Sequence, residues 1–540
     1  MLGLAVHVAI AETSAPQADE PSPLAVAPQI NQVGPAAMPA RIAPIVAPFE
    51  MQQPRLPQFP TRETSIVAWG AAANQSELVT ASIQRAIDET STAGGGVVVV
   101  PAGDWNTGRI ELKSGVNLRV EQGARLIFSG QIRDYLPAVP ARYEGLDAMT
   151  PGGLIYAHQA TQIAVTGGGQ LVGPADGPLR EARPGLSDQL VDSTAPLEER
   201  IFDGQEGRHY FRPYFICLVE CRQALIEGVS LTNGPMWNIT PIYCEDVVVR
   251  GVTINSRGVV NGDGVNVESS RNVLVEYCQV DTGDDCFALK AGRNADGLRA
   301  SRPVENVVFR FNRATGGFGG ITCGSETAGG IRHVHVHDCV FENVRHAVYM
   351  KTRRPRGGGC EDVVIERVRF SAYNHAVFFD MIGSPLYVGE LGRRLPKREL
   401  TPSTPYYRRI TLRDLEGTCP RGDALKIKGI PESPAHDIEF LNCTIAGKGL
   451  VNLADVDRVL VSDCQLTADL PEVHLLDAAN VSIRRCRIAS SEFPPKIVTE
   501  GVAAKELTLD DVTPPSEQWN RLRVSDAPDG SLQPAGTEVR

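Results

Sequence analysis

The stretch VNGDGVNVESSRNVLVEYCQVDTGDDCFALKAG, residues 260–292, holds two acidic glycine turns, Asn261-Gly262-Asp263 and Gly283-Asp284-Asp285, on either side of an apolar segment. Aspartate alone in a turn says little, because its side chain bonds its own backbone and tolerates tight bends. The intervening RNVLVEYCQV (271–280) says more. Its apolar residues alternate, as in a strand with one buried face. The same design recurs as EDVVVRGVTI, RHVHVHDCVF, EDVVIERVRF, HDIEFLNCTI, DRVLVSDCQL and ANVSIRRCRI. Each alternates, bends at polar residues, then continues with Cys or Val and another apolar residue.

Equivalent residues are 26 apart at Val247 and Val273, and 22 apart at Val459 and Val481. Repeats of this length identify a solenoid. An all-strand unit predicts an all-β fold, a single-stranded right-handed parallel β-helix with coils stacked about 4.8 Å apart. Cys278, Cys339, Cys443, Cys464 and Cys486 occupy one place in the repeat and read as interior stacking residues. Twelve cysteines in 540 residues are too dilute for a disulfide scaffold.

Ahead of the repeats, Leu78, Val79, Ile83, Ala86 and Ile87 recur at helical spacing from Ser76 to Thr92, and Gly94-Gly95-Gly96 ends the pattern. This predicts a helix that caps the open N-terminal end of the solenoid, followed by a strand at Val97–Val100. Residues 1–11 resemble a signal peptide without its basic start, so a periplasmic or secreted protein is expected. Residues 12–58, rich in Pro, Ala and Gln, read as a linker or N-terminal arm. Residues 59–512 form the β-helix domain and 513–540 an irregular tail. Two Pro- and Gly-punctuated excursions, 174–213 and 383–409, break the rhythm and predict functional loops. The net charge of −11 argues against nucleic-acid or membrane-surface binding, and no apolar run is long enough to span a bilayer. A monomer is expected.

In a solenoid, residues one coil apart lie side by side. Asp263 and Asp285 are 22 apart, one coil. The turns at Gly316–Gly320 and Val348–Thr352 follow at steps of about 33 and are expected on the same face. Gly283 lets the chain bend, so that Asp284 and Asp285 both reach the groove. The result is three clustered carboxylates with Lys351, Arg353, Arg354 and Arg356 two coils away, roughly 10 Å along the axis. Such a cluster suits glycoside hydrolysis. One carboxyl, kept protonated by its like-charged neighbours, donates a proton to the leaving oxygen, while another activates water from the opposite face. A lysine offers a point charge for a substrate carboxylate.

The chain resembles glycoside hydrolase family 28, the polygalacturonases, and more closely the bacterial exo-acting branch, from about Phe59 to Ile488. The family's Asn-Thr-Asp is matched by Asn261-Gly262-Asp263 and its Gly-Asp-Asp by Gly283-Asp284-Asp285. ITCGSETAGG (321–330) and KTRRPRGGG (351–359) are similar to neighbouring family stretches. The resemblance implies a pectin-lyase-like solenoid that hydrolyses α-galacturonosidic bonds of pectic poly- or oligosaccharides with inversion and without a metal or other cofactor. It makes Asp284 the general acid, and Asp263 and Asp285 the pair that positions and activates water. Substrate contacts are expected from Asn261, Lys290, Phe318, Tyr349, Lys351 and Arg353.

Two departures stand out. The family's Gly-His-Gly is Gly317-Phe318-Gly319 here, and its Arg-Ile-Lys is Tyr349-Met350-Lys351. Phe318 and Tyr349 could form an aromatic wall for an uncharged sugar face, as in rhamnogalacturonan or branched pectin. Two other readings use the same fold: a non-catalytic polysaccharide-binding β-helix, and a polysaccharide lyase. The lyase requires calcium-binding acids and a basic proton abstractor. His333, His335 and His337 share one strand face and read as exposed side chains rather than metal ligands.

Overall fold

The computed structural model describes residues 28–181, 187–501 and 505–524. The export segment expected at 1–11 lies outside them. Strands from Glu63–Ser65 to Asn520–Arg523 pair in parallel, each coil with the next, and wind one continuous sheet into a β-helix. Parallel strands joined by crossovers wind right-handed. The antiparallel hairpin Val139–Tyr143/Leu146–Thr150 stands outside this sheet.

The repeats stack in the register that their spacing predicts: Val247 opposes Val273, and Val459 opposes Val481. One inward row runs Val267, Leu289, Cys323, Met350, Phe379, Ile427, Leu453 and Leu475. Every member is buried. Burying apolar surface stabilises by about 25 cal/mol per Å², so each coil is held mainly by the coil above and below. All twelve cysteines are buried and free, and Cys443, Cys464 and Cys486 lie next to residues paired on three successive coils.

Coil length is not constant. Val265 pairs with Phe287, Phe287 with Ile321 and Ile321 with Val348, so the middle one of these three coils is the longest and the first the shortest. The uniform step of about 33 read from the turns is therefore wrong for the last of them. The turn there is shorter, and the side chains expected on one row fall on two.

Helix Thr80–Thr92 lies against the first strands, with Ile83, Ala86 and Ile87 in the core. Residues 28–58 run over the outer face of the solenoid. Ile45 packs on Val248, Leu274 and Val308. Buried Arg310 donates to the carbonyls of Ala43 (2.6 Å) and Pro44 (3.1 Å), and Arg250 to that of Pro39 (2.6 Å). This arm also reaches one of the three histidines, since Phe49 stacks on His333 at 5.3 Å. His335 and His337 are buried rather than exposed. His335 pairs with Glu366 at 3.1 Å and His337 with Asp338 at 2.6 Å. Ile45→Glu should therefore release the arm, because a carboxylate cannot stay unpaired against three aliphatic side chains. The expected result is a midpoint lowered by a few degrees, with new protease cuts inside 28–58. An arm as resistant as before would contradict the packing described.

The tail is not irregular where it is described. Thr513 bonds Cys486 and Ile488, and Asn520–Arg523 adds a parallel strand to Lys496–Glu500.

Candidate active site

Three acids converge on the outer face of the stack formed by Val265–Glu268, Phe287–Lys290, Gly317–Gly324 and Ile331–Lys351. The pairing of Val265 with Phe287 sets Asp263 beside Asp285, one coil apart as predicted. A Cβ on Gly283 would run into the carbonyl oxygen of Val259, so only glycine allows the turn to close there. Beyond Asp285 the same row continues to Gly319 and then His346. A Cβ at Gly319 would run into Thr322 Oγ1 and stand 3.3 Å from Asp285 Oδ1, so only glycine fits beside this buried carboxylate.

Each of two acids has its own lysine. Lys290 Nζ is 3.0 Å from Asp263 Oδ2, and Lys351 Nζ is 2.7 Å from Asp285 Oδ2. Asp284 has no cation within ion-pair distance among the described residues, and its Oδ1 accepts from the Asp285 amide at 3.0 Å. Burial, with Asp263 and Asp285 adding to it, pushes the Asp284 carboxyl up to about 8. Burial also raises Asp263 to about 6, against the pull of Lys290. Burial works against the charge on both lysines, but the acids beside them outweigh it, so both stay protonated.

Lys290 is only 4% exposed. Its ammonium lies 3.9 Å from the Trp237 ring centroid and 3.7 Å from Glu326. It is a buried counter-ion and not the open substrate contact expected from sequence. Asn261, in left-handed backbone, accepts from Arg212 at 2.9 Å. Tyr349 does not pair with Phe318. It stacks on Phe378 (5.4 Å, 7°), while Phe318 stands at the rim, 37% exposed, under Arg345. Arg353 is half-buried, donates to Ser325 at 2.8 Å and covers the Tyr387 ring. Arg354 and Arg356 are buried structural residues: Arg354 pairs with Glu432, and Arg356 donates to the Ser325 carbonyl.

On the N-terminal side of the acids the groove is filled. Phe202, Phe211, Tyr143, Tyr214 and Trp237 form one stack of rings with successive centroids 4.3, 4.0, 6.3 and 5.0 Å apart. The hairpin supplies Tyr143, the 174–213 excursion Phe202 and Phe211, and the coils themselves Tyr214 and Trp237; the stack ends on Lys290. It buries Tyr156, Cys217, Val219 and Ile242, which stand on the same outward rows that lie open further along. On the C-terminal side Tyr349, Lys351, Lys426 and Lys428 are half-exposed.

Sequence reasoning did not single out Trp237, Arg212, His346 or Phe378. Only the register could reveal His346, since its place in the row depends on the shortened coil before it.

Residues 203–464 match the profile of Glycosyl hydrolases family 28. A probable polygalacturonase of Vitis vinifera is 27% identical over 71% of this chain and 74% of its own length. An exo-poly-alpha-D-galacturonosidase of Dickeya chrysanthemi is 26% identical over 73% of this chain and 69% of its own. Among solved structures, a hyperthermoactive exopolygalacturonase from Thermotoga maritima is 31% identical with a TM-score of 0.63, covering 77% of this chain and 92% of that one. The three-aspartate groove thus sits in a chain that belongs to glycosyl hydrolase family 28 and is a polygalacturonase-like glycoside hydrolase.

Proposed function

We propose that the protein is an exo-acting, inverting hydrolase of α-galacturonosidic bonds in pectic chains. The observation that carries this reading is the unequal treatment of the three acids. Asp263 and Asp285 each hold a lysine, whereas Asp284 has none among the described residues and keeps its proton at neutral pH. Asp284 then gives that proton to the glycosidic oxygen as the bond to the anomeric carbon breaks. Asp263 and Asp285 take a proton from a water that attacks the opposite face. Lys351, with three N–H donors and one spent on Asp285, has donors left for a sugar carboxylate.

The ring stack supports exo action. It closes the groove on the N-terminal side of the acids, so a chain end stops there and the leaving chain lies over Tyr349 and Lys351. Galacturonan is too large to cross a membrane, which supports work outside the cell on the polymer, or in the periplasm on oligosaccharides cut from it. Helix Thr80–Thr92 fits the role of a cap that keeps the first coil's strand edges from pairing with other chains.

The test is a time course on polygalacturonate. Monogalacturonate should dominate from the first minutes while viscosity barely falls, and NMR should show the β-anomer appearing first. Early mixed oligomers would rule out exo action, and no product from any pectic substrate would rule out the reading. The Tyr349–Phe378 stack favours one second reading, a leaving sugar without a carboxylate such as rhamnose. Rhamnogalacturonan fragments cut faster than galacturonan would select it.

A further inference from the structure

Beyond Lys351 the outward row that carries it continues through Asp380 to Lys428. We propose that Lys428, seated on Phe378, is a second carboxylate-reading residue. It would grip the uronate two sugars beyond the one next to the cleaved bond and so favour longer galacturonan chains. This rests on the galacturonan hydrolase reading above and adds a chain-length specificity to it.

Lys351 opposes Asp380, and Asp380 opposes Lys428, so the two lysines are two coils apart on one row, roughly 10 Å. A pyranose linked through its 1- and 4-oxygens advances about one strand spacing, so two coils match two sugars. The intermediate Asp380 forms no ion pair with Lys428 among the described residues, and its Oδ1 accepts from the amides of Ile382 and Gly383, each at 3.0 Å. Lys428 forms no ion pair among the described residues, unlike Lys426, whose Nζ is 3.7 Å from Asp423. Its ammonium instead stands 5.4 Å from the Phe378 ring centroid, and Phe378 stacks on Tyr349. The floor beside the two cations is therefore aromatic, with Asp380 between them on their own row. That suits a polymer that presents ring C–H faces to a surface and carboxylates at intervals. An unpaired, half-exposed lysine keeps its donors for a ligand, which a structural lysine such as Lys290 does not.

The experiment compares kcat/KM on tetragalacturonate and digalacturonate for the wild type, Lys428→Met and Lys428→Arg. Only the tetramer reaches Lys428 when its end stops at the ring stack that closes the groove. The tetramer-to-dimer ratio should fall about tenfold in Lys428→Met, through KM rather than kcat, and recover in Lys428→Arg. Added salt should lower the wild-type ratio and leave that of Lys428→Met unmoved. An unchanged ratio, or equal losses on both substrates, would overturn the proposal. Failure of the wild type on both oligomers would instead overturn the hydrolase reading.

Discussion

Asp284→Asn is expected to lower kcat about a thousandfold and, at the same time, to make the protein harder to unfold. The amide keeps the shape of the side chain but has no proton to give, so the leaving sugar must depart as an alkoxide. The stability gain follows from the raised pKa. A carboxyl held at about 8 when folded, against the ordinary 3.8, binds its proton more tightly in the folded chain. Folding stability therefore declines as pH climbs from about 4 towards about 8, and the amide removes that decline. Melting curves of the two proteins should nearly coincide at pH 4 and separate by a few degrees at pH 8. The pH–rate profile of the wild type follows from the same groups. Activity should fall above about 8 as Asp284 ionises, and below about 6 as Asp263 takes a proton. Both limbs belong to the coupled cluster. An active Asp284→Asn, or a variant less stable at every pH, would remove Asp284 from the acid's role.

Lys290→Met is expected to be the more damaging change to the folded protein. Its ammonium serves Asp263 and Glu326 together, beneath the Trp237 ring. Removing one partner of a buried ion pair leaves an uncompensated charge and costs about 3–5 kcal/mol. Without its cation Asp263 should hold its proton to a higher pH, so the acid limb of any remaining activity moves upward. Asp263→Asn in the same chain should restore part of the stability and none of the activity. If Lys290→Met alone folds and turns over normally, Asp263 is not held by this lysine.

The repeat made the face of the solenoid legible before any coordinates. RNVLVEYCQV and its counterparts fixed which residues point inward, and the one-coil spacing put Asp263 beside Asp285. What escaped depends on turns whose lengths vary without a signature. The step from Gly319 to His346 is shorter than the step from Asp285 to Gly319, so the row beyond the acids could not be counted out from one period. Lys290 was visible as a candidate, but its role came from long-range packing. The hairpin Val139–Thr150 and the residues near Phe211 fold back over the first coils and bury the lysine under Trp237. Nothing local in 139–150 announces that return, whereas the Pro- and Gly-punctuated excursion 174–213 marks its own part as a functional loop. The histidine triplet misled for the same reason, since an arm from the far N-terminal end of the sequence covers the face on which His333 lies.

The varying coil length has a further consequence for how such an enzyme can change. Unequal coils keep their strands in step because all extra length is discharged into the turns. The floor under a bound polymer is thus a ruler with fixed gradations, one strand spacing each, however much the borders grow. A lineage could lengthen or trim its turns freely and alter only what closes over the chain. To move Lys428 by one sugar it would have to gain or lose an entire coil.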